Sequence, residues 1–148
     1  MKRITLLLLS IFLAGCSAFP SSGSDVERNQ DNWENQNISD YRFNLNIGCF
    51  CPWNDLMPLT IEVRNGEPVS ITSGGEQVTE PFLESFTQYD TMEELFGVIL
   101  AAQESGADEM KVEYDAVYGF PASIAIDYIE LAMDDEMGLY VTEFEVLK

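Results

Sequence analysis

From Tyr41 to Cys51 the odd positions Tyr41, Phe43, Leu45, Ile47, Cys49 and Cys51 are apolar or cysteine, while Arg42, Asn44, Asn46 and Gly48 alternate between them. Successive side chains of an extended strand point to opposite faces, so this period predicts a strand with one buried face. Leu59, Ile61 and Val63 repeat the pattern against Thr60, Glu62 and Arg64, and Val69 and Ile71 follow the turn signal Asn65-Gly66, which predicts a hairpin. A two-residue loop would set inward odd residues opposite outward even ones. The expectation is therefore a three-residue loop, Arg64-Asn65-Gly66, with Ile61 opposite Val69 and Gly66 as a left-handed bulge residue.

Thr91-Met92-Glu93-Glu94 has the form of a capping box, and Met92, Leu95, Phe96, Ile99 and Ala102 fall at helical spacing until Gly106 stops the run. Alternation then resumes at Val112 and Tyr114, at Ile124, Ile126 and Tyr128, and at Tyr140, Phe144 and Val146. The order β-β-β-α-β-β-β predicts an α+β fold: an antiparallel β-sheet of about six strands with one amphipathic helix packed on one face. Tyr114, Tyr128, Tyr140 and Phe144 are expected in the core, in phase with Ile124 and Ile126. Trp53, Tyr118 and Phe120 lie beside Pro52, Gly119 and Pro121 and are expected as exposed partner contacts.

The amino end carries a different signal. Lys2 and Arg3 precede an apolar run from Ile4 to Ala14 interrupted only by Thr5 and Ser10, a signal-peptide core too short to span a bilayer. It closes on Leu13-Ala14-Gly15-Cys16, which resembles the bacterial lipobox. That resemblance implies cleavage between Gly15 and Cys16, acylation of the Cys16 thiol and attachment to a membrane without spanning it. Two or three acyl chains hold stably, since each buried methylene contributes about 0.8 kcal/mol. Ser17, where lipoproteins retained at the inner membrane commonly carry Asp, favours the outer membrane, facing the periplasm, if the source is Gram-negative. The expected organisation is a signal peptide at 1–15, a lipidated Cys16 with a flexible tether at 16–37, and one domain at 38–148. The tether is read from its Ser, Asn, Gln, Asp and Glu content, with Phe19, Val26 and Trp33 as its larger apolar groups.

Charge narrows the partners. The chain has 7 Lys and Arg against 26 Asp and Glu, for a net charge of −19, and no histidine. Loss of Lys2 and Arg3 with the leader, and of no acid, moves this from −19 to −21. Such a surface repels phosphate backbones and anionic lipid head groups, which argues against nucleic-acid binding and for a basic partner. Serine–histidine and cysteine–histidine catalysis and histidine metal sites are excluded.

Trp33, Tyr41, Cys49-Phe50-Cys51, Asn65-Gly66, the helix start Thr91 to Phe96, Tyr118-Gly119-Phe120-Pro121, and Ile126-Asp127 followed by Asp134-Asp135-Glu136 together resemble a family of bacterial lipoproteins known as domain of unknown function 6174. They cover residues 33 to about 144. The resemblance implies a small secreted or lipidated α+β domain and carries over no activity.

Two clusters remain. With Cys16 acylated, Cys49 and Cys51 are a pair two residues apart on one strand face, and three readings stand: a structural disulfide, which needs a local bend because extended Cα atoms would sit about 6.7 Å apart; reduced buried thiols; or a thiol redox or copper(I) site, with Met57 the nearest further sulfur. Asp127, Asp134, Asp135 and Glu136 form either a solvated turn or a calcium site, since a hard cation takes six to eight oxygens. The leading expectation is a non-catalytic envelope lipoprotein with a binding or structural domain and no cofactor. Calcium binding and thiol chemistry are the alternatives.

Overall fold

The computed structural model describes residues 22–132 and 134–148. The expected signal peptide at 1–15 and the expected lipidation site Cys16 lie outside the described residues. Seven strands form one antiparallel sheet: β1 (Tyr41–Gly48), β2 (Leu59–Arg64), β3 (Glu67–Ser73), β4 (Glu76–Gln77), β5 (Glu109–Tyr114), β6 (Pro121–Asp127) and β7 (Met137–Val146). Their spatial order is β4-β3-β2-β1-β7-β6-β5, so the first and last long strands meet at the centre. The expected α+β class holds, with a short seventh strand and a second helix added.

Helix α2 (Met92–Ser105) is built as expected. Thr91 accepts a 3.1 Å hydrogen bond from the Glu94 amide, and Gly106 closes the helix at φ 72°. Its Met92, Leu95, Phe96, Ile99 and Ala102 face the sheet residues Tyr41, Phe43, Leu45, Leu59, Ile61 and Ile124, all fully or nearly fully buried. Burying these side chains contributes about 1.5–3 kcal/mol each before chain entropy is charged against it.

Helix α1 (Ser22–Asn35) corrects the expected flexible tether. The segment is polar in composition, yet Val26 and Trp33, seven residues apart, fall on one helical face and are each only 2% exposed. Arg28 pairs with Asp25 at 2.7 Å on the solvent side. The Trp33 indole meets Tyr41, Phe120 and Phe144 edge-on, with ring centroids 5.4, 6.0 and 5.9 Å away. The folded unit therefore takes in residues from 22 onward, not from 38.

Two local geometries differ from expectation. The β2–β3 hairpin turns on two residues, Asn65 at φ 53° and Gly66 at φ 79°, with Arg64 opposite Glu67 and Val63 opposite Pro68. A bulge at Val69 then brings Ile61 opposite Ile71, not Val69. The phase conflict is solved inside β3 and not by a longer loop. In β7 a second bulge, with Glu143 at φ 51°, shifts the register opposite Arg42 to Asn44. The inward residues become Leu139, Val141 and Phe144, so Tyr140, expected in the core, stands on the outer face at 47% exposure.

The aromatics expected as exposed contacts are also corrected. Trp53 is 8% exposed and packs edge-on against Phe86 at 5.1 Å; Phe120 is 4% exposed; Tyr118 is half-buried against Phe120 and Phe144. Trp53 is covered by Phe86; for Tyr118 and Phe120 the reason is α1, which closes over the turn between β5 and β6. Gly119, at φ 86°, lies so near it that a Cβ there would stand 2.7 Å from the Asn29 carbonyl oxygen.

Candidate functional site

The helices cover one face of the sheet, and the other carries a groove of about 310 Å³. Its floor follows from strand register. Gly48 of β1 pairs with Gly138 of β7, Gly138 with Ala125 of β6, and Ala125 with Lys111 of β5. Three small residues in a row across adjacent strands leave a trough where ordinary side chains would fill the surface. Tyr140, two residues beyond Gly138 and on the same face, leans over that glycine: a Cβ on Gly138 would meet the tyrosine Cε2 at 2.9 Å. The opposite rim is acidic, formed by Asp127 and Glu136, with Glu109 held by Lys111 at 2.6 Å at the end of the trough.

The carboxylates at this end of the sheet are poorly compensated. Asp127 Oδ1 and both carboxylate oxygens of Asp135 are withdrawn from solvent without a hydrogen-bond partner among the described residues. Withdrawal from water, and then the charges of Asp135 and Glu136, push the Asp127 carboxyl above its ordinary range. The loop spreads the four acids of the proposed calcium site, however. Asp134 is exposed at φ 77°, and among the described residues no three carboxylates or cysteines gather into a set able to hold a metal ion. At this end of the groove the acids form a negative rim.

The cysteines close the neighbouring end of β1. The strand stops at Gly48, the chain bends so that the Cys49 and Cys51 Cα atoms come to 5.3 Å, and the sulfurs stand at disulfide distance, 2.10 Å. The bend required for a bridge is thus present, braced by Asn54 Nδ2 donating to the Cys49 carbonyl at 2.6 Å. Joined sulfurs present no thiolate pair to copper(I), and the Met57 thioether is already taken by the Ile47 amide at 3.3 Å. Phe50, at the loop tip, is 82% exposed.

The sequence does not mark Gly48, Ala125 and Gly138 as site residues, and it places Tyr140 in the core instead. Their small size or aromatic character is visible there, but their alignment is a product of strand pairing. No described helix is long and apolar enough to cross a membrane. Residues 25–146 match a family of unknown function (DUF6174). No curated protein and no solved structure matches the chain.

Proposed function

Since the chain belongs to the family of unknown function DUF6174, a membership that assigns no chemistry, we propose from the site itself that this is a lipid-anchored envelope protein whose domain is a non-catalytic module binding a basic partner. The single observation that carries the binding reading is the groove: a small-residue floor, an aromatic wall at Tyr140, and a rim where, among the described residues, neither Asp127 nor Glu136 is held in an ion pair. A lysine or arginine side chain matches all three parts. Its alkyl stem lies on the floor, its charge meets the carboxylates, and the tyrosine face attracts the cation. The surplus of 26 acids over 7 bases favours encounter with such a partner at low salt.

Acylation at Cys16 supports the placement at a membrane. With α1 starting at Ser22, five residues separate it from Cys16, a reach of at most about 22 Å. The domain is then held against its membrane, on the periplasmic side of the outer membrane in a Gram-negative cell.

The test uses labelled decalysine, with decaglutamate as control. Decalysine should bind in a salt-sensitive manner, and Asp127→Asn with Glu136→Gln should weaken it about tenfold, whereas Asp31→Asn with Glu104→Gln, away from the groove, should not. Equal loss from both pairs would overturn the groove reading. Mass spectrometry of Cys16 from the native cell tests the anchor separately.

A further inference from the structure

The two edges of the sheet are unlike. One ends in β4, a strand of two residues, Glu76 and Gln77, too short to template another chain. The other is β5, six residues long, with no strand paired to its outer side among the described residues. Natural sheets blunt their edges, so a full-length open edge asks what it pairs with. We propose that β5 pairs antiparallel with β5 of a second copy of this chain, about a two-fold axis through Val112.

The register follows from charge. On the outer face β5 carries Glu109, Lys111 and Glu113; on the inner face it carries Met110, Val112 and Tyr114, all half-buried. An axis through Val112 places Lys111 opposite Glu113 of the second copy, and Glu113 opposite its Lys111. It also sets Val112 against Val112 and Met110 against Tyr114. Moving the axis to Lys111 would oppose lysine to lysine and Glu109 to Glu113, and moving it to Glu113 would oppose glutamate to glutamate. Like charges directly across a ladder are unfavourable, so the Val112 register is selected over its neighbours.

The inner face is also unfinished there. A notch of about 80 Å³ opens between Asp25 and Val26 of α1 and Met110, Val112 and Tyr114. A second β5 would continue the apolar row beside it. An interface of this kind is isologous, with the same residues serving on both sides, and it closes at two copies. It shares Glu109 and Lys111 with the end of the groove, but it is argued from the open strand edge and its register and not from the basic-partner reading.

Cysteine cross-linking of the full chain in cells tests the register. Val112→Cys brings two thiols together on the axis, within disulfide reach; Lys111→Cys leaves them two positions out of register, beyond the ~7 Å Cα limit. The expected result is an oxidised dimer from Val112→Cys and none from Lys111→Cys. In the Val112→Cys background, Lys111→Glu should cut the dimer yield several-fold, and Lys111→Glu with Glu113→Lys should restore it. Total protein on a reducing gel controls for folding and abundance. Absence of a Val112→Cys dimer, equal cross-linking through Lys111→Cys, or failure of the charge swap to restore the yield would each overturn the proposal.

Discussion

Trp33 Nε1 donates a 2.8 Å hydrogen bond to Glu93 Oε1, joining the first helix to the first turn of the second across sixty residues of chain. The Tyr41 hydroxyl meets the same junction, accepting the Met92 amide at 3.0 Å, and burial pushes that phenol far above its ordinary range. This junction makes α1 part of the domain. Trp33→Ala should therefore cost about 3–5 kcal/mol in urea unfolding, the range of a large aromatic removed from a core. A chain begun at residue 38 should lose its cooperative transition, whereas one begun at residue 22 should keep it.

Gly119 sits at φ 86° with the Asn29 carbonyl where a Cβ would go. Gly119→Ala should destabilise the protein by about 1–3 kcal/mol, through an unfavourable backbone region and the displacement of α1. Asn29→Ala leaves that carbonyl in place and should not rescue it. Thermal melts of the single and double variants decide the matter.

Asp90 is buried just before the α2 cap. Burial first, then the charges of Glu94 and Glu67, push its carboxyl up to about 6. Between the ordinary carboxyl range and that value the folded state binds more protons than the unfolded one, so stability from this group falls as pH rises through roughly 4 to 6. Asp90→Asn should stabilise the protein at pH 7 by about 1–2 kcal/mol and flatten the acid side of its stability profile. A variant with the parent's pH dependence would contradict the assignment.

The Cys49–Cys51 bridge closes a loop of only three residues. Constraining so short a loop removes little entropy from the unfolded chain, so replacing both cysteines by serine should cost no more than about 1–2 kcal/mol. The same variant should loosen the Phe50 loop, seen as faster amide exchange at residues 49–54. Thiol titration under denaturing conditions should find two additional thiols only after reduction.

The strands and the capped helix were legible because their signals are local. Period-two alternation in Tyr41 to Ile47 and Leu59 to Val63 needs no distant partner to be recognised, and neither do Thr91 and Gly106 at the ends of α2. The cysteine pair and the acids of the β6–β7 loop could be named as well. What they do together could not, since Asp134 turns outward while Asp135 stays close enough to raise the cost of ionising Asp127.

Composition, alternation and capping thus determined, from the sequence by itself, the α+β class and the helix that covers the sheet, because each is encoded within a few residues of itself. Only the tertiary structure decided that Val26 and Trp33 belong to the core, that Tyr140 faces outward, and that Gly48, Gly138 and Ala125 line one trough. Those outcomes depend on a bulge in β7 and on contacts between segments sixty or more residues apart, where one extra residue in a strand reverses every side chain beyond it.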